Sequence, residues 1–197
     1  MSEFTLDIDH REGWPEHLRI LADRYPRPTW EGHPNLDDLT DHWLHIHVGF
    51  RKALEMLTSE THSYLDRESD PRRLGSATSR LAGYLINGLH AHHQIEDSHF
   101  FPRLTRAEPR LSLGFETLEA DHQALDGRLD GLTQTANSVL QSTTDPAGLF
   151  EHAGAMQELL GGFQRFLDRH LTDEEELIVP VILEYGARKV HGDLKDN

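Results

Sequence analysis

An all-α chain, folded as an antiparallel up-down four-helix bundle with an N-terminal extension carrying one short helix, is the fold class that these 197 residues predict. Three observations carry the prediction. Four long stretches place apolar residues at helical spacing, so each has one face to bury. The two halves also repeat one plan. Asp70-Pro71 and Asp145-Pro146 each join a capping residue to a first-turn proline and stand 75 residues apart, as do His47 and His122. Finally, the β-branched residues are scattered instead of alternating, so no segment calls for a strand. Short connections then make successive helices antiparallel neighbours.

Residues 1–34 are expected to form the extension. Trp14-Pro15 opens a short helix through Ala22, and Pro26, Pro28, Gly32 and Pro34 break up the remainder. Residues 35–185 hold the bundle. Its first helix starts from Asn35 as N-cap, with Asp37 and Asp38 in the first turn. The apolar stripe of that helix runs Leu36, Leu39, Trp43, His47, Phe50, Leu54 and Leu57. The second starts at Asp70-Pro71 and runs Leu74, Thr78, Leu81, Leu85, Leu89, His92, Glu96 and His99. Glu108-Pro109 marks a turn, and the third helix follows with Leu111, Phe115, Leu118, His122, Leu125, Leu129 and Leu132. Asp145-Pro146 opens the fourth, which runs Leu149, Ala153, Met156, Leu160, Phe163, Leu167, His170, Glu174 and Leu177. Residues 186–197 read as a polar, frayed tail.

Composition narrows the chemistry. With no cysteine, any metal must be held by His, Asp and Glu. A net charge of -15, from 34 acidic and 19 basic residues, argues against nucleic acid or an anionic membrane as partner. The start, Met1 to Asp7, has no basic region followed by an apolar core, and no apolar run approaches the ~20 residues of a membrane span. A soluble cytoplasmic protein, monomer or homodimer, is expected. Fifteen histidines stand out, because imidazole is the commonest protein metal ligand.

One phrase occurs twice: His92-His93-Gln94-Ile95-Glu96, closed by Pro102, and His170-Leu171-Thr172-Asp173-Glu174, closed by Pro180. Residues four apart stack on one helical face, so each copy aims an imidazole and a carboxylate at one point. The prolines are expected to end or kink the two helices just beyond. Counted from loops near 69, 108 and 144, His47, His92, Glu96, His122, His170 and Glu174 fall at one level within about a turn. Two buried carboxylates at that level are costly unless paired or bound to metal. These six residues are the candidate metal ligands. His90 and His93 lie off the stripe by about a quarter turn or more.

This constellation resembles the hemerythrin-like (HHE cation-binding) family over about residues 36–184. In that family the His-x-x-x-Glu pairs end in an apolar residue and a proline, here Phe101-Pro102 and Val179-Pro180. The other two helices each offer a histidine with an apolar residue three positions on, here His47 to Phe50 and His122 to Leu125. The resemblance implies two iron ions with an oxo or hydroxo bridge, held by the six candidates, and a small diatomic or peroxide ligand. Oxygen-carrying members place a second histidine one turn after the first on the third helix, where this chain has Asp126. Two six-coordinate ions offer about twelve positions, of which four histidines, two bridging carboxylates and the bridge fill about ten. About two open positions favour onward reaction over simple release of a bound oxidant. His99 is the best local candidate for a fifth histidine, and Asp126 and Glu119 could bind or hydrogen-bond at the edge of the site.

Dioxygen binding or reaction with oxygen, peroxide or nitric oxide, with a role in oxygen, redox or iron handling, is the function this implies. A di-iron peroxidase, a catalase-like enzyme or an oxidase is the alternative within enzymes, and a metal-dependent sensor is the alternative without turnover. Glu96-x-x-His99 and Glu119-x-x-His122 spell the Glu-x-x-His of ferritin-like oxidases, but the carboxylates are too few for that site. The extension joins the first helix near the metal level, so Trp14, Tyr25 and Trp30 are expected to anchor it either over the centre, where it governs access, or on bundle surface that it merely covers.

Overall fold

Asp37, Asp70 and Asp145 each stand one residue ahead of a long helix and turn a carboxylate back onto its first free amides. Asp37 accepts from the Thr40 amide at 2.9 Å, Asp70 from Arg72 and Arg73 at 2.8 and 3.0 Å, and Asp145 from Ala147 at 3.2 Å. In the computed structural model, which describes residues 6–191, these caps start α1 (Asp38–Leu65), α2 (Pro71–Ile95) and α5 (Pro146–Tyr185). The short α3 (Phe101–Ala107) and the long α4 (Ser112–Gln141) lie between α2 and α5, and α6 (Ala187–His191) closes the order. Among the described residues there is no strand, and no helix is long and apolar enough to cross a membrane. Residues 192–197 of the expected polar tail, and the first five residues, lie outside the described residues.

Three local expectations are corrected. The cap of α1 is Asp37, not Asn35, whose side-chain amide instead donates to the Leu183 carbonyl at 2.7 Å. The helix expected from Trp14 to Ala22 is a single 3-10 turn, Glu16–Leu18, followed by turns, and a second 3-10 turn covers Arg27–Thr29. Of the expected end or kink at each proline, the end is not found at Pro180, which sits inside α5, while α2 gives way before Pro102, which lies in the first turn of α3. Before Pro102 the chain makes one π-helical turn, Glu96–Phe100, in which the Phe101 amide bonds the Glu96 carbonyl five residues back. The wider turn makes room for a residue that has no amide hydrogen and whose ring crowds the preceding turn.

The chain divides into two compact units, one of residues 1–47, 93–122 and 168–197, the other of 48–92 and 123–167. In the first, Trp14, Leu18, Leu21 and Trp30 of the extension are buried in one cluster with Trp43, Phe101, Leu111, Phe115, Leu118, Leu177 and Ile182. Gly186 links α5 to α6 at φ 82°, a conformation only glycine adopts without strain. The second unit buries Phe50, Leu54, Leu57, Leu74, Leu85 and Leu89 with Leu129, Leu132, Leu149, Leu160 and Phe163. Within it, Arg73 clamps Glu60 through two hydrogen bonds of 2.7 Å.

Glu108 turns the corner between α3 and α4. Its amide bonds the Leu104 carbonyl at 2.8 Å, while its carboxylate takes the Arg110 guanidinium at 2.5 and 2.7 Å and the Tyr185 hydroxyl at 2.8 Å. Arg110 above all, with help from Tyr185, outweighs burial and holds the carboxyl down at about 2. A depressed acid contributes its stability above its ordinary value of 4.5 and loses it as pH falls through about 2. Glu108→Gln should therefore lower stability by on the order of 1–2 kcal/mol at pH 7, with Arg110 exposed to screening water. Thermal melts should show the gap to the parent closing between pH 4.5 and 2, and a gap constant over that range would rule this account out.

Candidate metal centre

At ~100° per residue, Glu96 falls between His92 and His93 when α2 is viewed down its axis, about 40° from the first and about 60° from the second. One carboxylate is thus flanked by two imidazoles on a single helix. On α2, His92 stands four residues before Glu96. On α5 the same four-residue spacing sets His170 Nε2 3.2 Å from Glu174 Oε1. The π turn begins at Glu96, so the phase of the chain changes right after the ligand segment.

Within the first unit these residues converge. His93, His122, His170 and Glu174 are buried, with ligand atoms all within 4.8 Å of one another, and His47, Glu96 and Glu174 meet the same limit. Glu174 is common to both groups and its two oxygens point apart. Oε1 lies 3.1 Å from His122 Nε2 and 3.2 Å from His170 Nε2, while Oε2 lies 3.5 Å from His47 Nε2. Glu96 accepts a 2.7 Å hydrogen bond from Trp43 Nε1 at one oxygen and presents the other 3.8 Å from His122 Nε2. The His93 ring stacks on His122 at 4.0 Å and meets His170 edge-on at 5.2 Å.

Behind the imidazoles stands a ring of acceptors. His47 Nδ1 faces Glu175 Oε1 at 3.1 Å, His122 Nδ1 faces Asp97 Oδ1 at 2.8 Å, and His170 Nδ1 lies 3.6 Å from Asp121 Oδ2. A carboxylate at Nδ1 favours the tautomer that donates there, which leaves the Nε2 lone pair aimed inward. Further out, Arg11 is wholly buried and bonds Asp173 at 2.7 Å and Asp121, while Arg27 bonds Glu175 and Arg169 bonds Asp173.

The electrostatics follow from that layering. Burial, then the neighbouring Glu174 charge, pushes the Glu96 carboxyl well above its ordinary range. Burial would raise Glu174 too, but the His170 charge and hydrogen bonds from His122 and His170 hold it well below. Burial opposes charging His122 and His170, yet Asp97 and Glu174 for the first, and Glu174 and Asp121 for the second, lift both to about 9. One carboxylate that is charged beside one that resists charge marks a place short of positive charge. Glu174 Oε2 is buried and takes part in no hydrogen bond among the described residues, as a metal-binding oxygen would. Imidazole nitrogens and carboxylate oxygens without thiolates suit iron, manganese or zinc, so the donor set fits a cation.

Of the six expected ligands, His47, Glu96, His122, His170 and Glu174 come together in the first unit. His92 is buried, one turn before Glu96, with Phe50 edge-on to its ring at 5.4 Å. His93, expected off the stripe, is instead in the group with His122 and His170, and the flanked carboxylate of His-His-x-x-Glu was the signal for it. His99 is exposed: the π turn advances the chain one residue, so the buried stripe resumes at Phe101 and Leu104. Glu119 is exposed as well. Asp126 is exposed and faces His90 at 3.7 Å within the second unit.

A family model described as the hemerythrin HHE cation binding domain matches residues 38–182. No curated protein and no solved structure matches the chain. The matched span contains every imidazole and carboxylate of the two groups and runs through α1, α2, α4 and nearly all of α5. The chain belongs to the hemerythrin HHE cation-binding domain family.

Proposed function

We propose that this protein is a hemerythrin-like non-heme di-iron protein, built as an antiparallel four-helix bundle, that binds dioxygen or reacts with a small oxidant. The observation that carries the reading is the divergence of the two Glu174 oxygens, one toward His122 and His170 and the other toward His47. A carboxylate so placed can serve two cations at once. Glu96 is the second bridging candidate. His47 and His92 would complete one side, and His93, His122 and His170 the other; His92 is included for its place one helical turn before Glu96.

Iron bound here would supply the electrons and open coordination that dioxygen, peroxide or nitric oxide require. The chain's own part is to hold His47, His122 and His170 through acceptors at Nδ1 so that Nε2 faces inward, keep water out, and shield the pair with Trp43, Phe101 and the extension. Counting His93 as a ligand fills about eleven of the twelve positions and leaves about one. That favours binding one small ligand over turnover, and it revises the expectation of about two open positions from four histidines.

Elemental analysis after iron-replete expression should find about two irons per chain. Less than about one, with zinc in its place, would overturn the di-iron reading. Anaerobic loading with ferrous iron and stopped-flow mixing should give an oxygen-dependent spectrum that vacuum reverses, whereas sustained consumption of peroxide would identify an enzyme instead.

Proton release offers a second test. In the metal-free protein His122 and His170 carry protons up to about pH 9. A raised imidazole stabilises the fold fully below its ordinary 6.5 and loses that contribution as pH rises through about 9. Metal must expel those protons, so ferrous or zinc affinity should strengthen on the order of tenfold or more per pH unit across this window while metal-free thermal stability declines. Calorimetric titration in two buffers of different ionisation enthalpy counts the protons released, and a count of zero at pH 7 would contradict the assignment.

A further inference from the structure

The extension reaches the backs of two of the imidazoles through paired charges. Arg11, with its side chain wholly buried, donates from Nε to Asp173 Oδ2 at 2.7 Å and pairs with Asp121, whose Oδ2 lies 3.6 Å from His170 Nδ1. Its guanidinium lies over the Trp14 ring at 4.8 Å, and Trp14 Nε1 in turn donates to the Asp173 carbonyl at 3.0 Å. Arg27 repeats the arrangement: it pairs with Glu175 Oε2, whose other oxygen faces His47 Nδ1 at 3.1 Å, and it lies over Trp30 at 5.1 Å. The side chains of Asp121 and Glu175 are 5% and 1% exposed. Asp97, which serves His122, is 33% exposed and has water to solvate it. The two acceptors cut off from water are the two that receive an arginine.

A carboxylate behind a metal-bound imidazole fixes the ring and raises its basicity, and changes to such partners alter metal affinity by roughly 10–100-fold. Buried without a cation, the same carboxylate would be driven to protonate or to turn away, and the imidazole would lose its acceptor. Resting on the metal-binding reading above, we propose that Arg11 and Arg27 are positioning residues of the metal centre. Through Asp121 and Glu175 they hold His170 and His47 as inward-facing ligands, so the centre is complete only when the extension is docked. The extension then does more than cover the site: it sets how tightly the cation is held.

Arg27 allows a clean test, since its side chain is 59% exposed and carries little of the core. In the full chain loaded with cobalt or zinc, Arg27→Gln should speed metal release to a chelator by roughly tenfold and shift the cobalt visible spectrum, with the metal-free melting curve little changed. Glu175→Gln should do the same, and adding Arg27→Gln to it should produce little further change, because the arginine acts through that carboxylate. Arg27→Lys should restore part of the retention. Unchanged release and spectrum in folded Arg27→Gln would overturn the proposal, as would full additivity of the two substitutions. Were Arg27→Gln to misfold, Glu175→Gln alone would decide, with unchanged release counting against. A parent chain that takes up no cobalt, zinc or iron would instead sink the metal-binding reading itself.

Discussion

A carboxylate without access to water is tolerable only beside groups that can offset its charge, and Glu174 turns its two oxygens toward different imidazoles. The imidazoles of His122 and His170 gather at one oxygen and that of His47 at the other. Much else in the first unit follows from this. Imidazoles that face inward need something to accept at their far nitrogens, which brings Glu175, Asp97 and Asp121 into the interior or to its margin. Those acids need cations of their own. The result is alternating shells of charge, each tolerable because of the next, with the innermost shell still short of positive charge. A hydrophobic interior of the same volume would be easier to fold, so this arrangement points to the cation rather than to stability.

The π turn is the backbone's share of the same construction. An unbroken α-helix through Glu96 would carry His99 inward one turn later and leave Pro102 crowding the preceding carbonyls. The turn Glu96–Phe100 resolves both at once: His99 goes out to solvent, and Phe101 comes in to stack on His122 at 5.4 Å. An apolar ring therefore lies beside the imidazole where another ligand could have been.

Much of this was readable in the residues themselves. Asp70-Pro71 and Asp145-Pro146 start helices where local capping chemistry says they should, because caps depend on the next three residues and little else. The four-residue spacing of His170 and Glu174, and of His92 and Glu96, needs only helical geometry. His93 was missed because a single stripe drawn down α2 treats Glu96 as its centre line, when the carboxylate lies between two rows. The π turn was missed because its cause, Pro102, lies beyond it and reads equally well as a helix end. Arg11 and Arg27 were out of reach for a different reason. Nothing in the local pattern of a proline-broken segment says which distant acid will take a guanidinium, and Trp14 and Trp30, read as anchors, gave only the direction.

Arg11 meets Asp173 across 162 residues of chain, and Arg27 meets Glu175 across 148. Such contacts close late, because the loop entropy is lost before any of them forms. During synthesis the first of these segments leaves the ribosome long before its partner helix has been made. The surroundings of His47 and His170 are thus assembled after α5 emerges, and a cation met earlier would find only a partial set of donors. Order of assembly thereby leaves Arg11 and Arg27 without their carboxylate partners on α5 until the last long helix has been made.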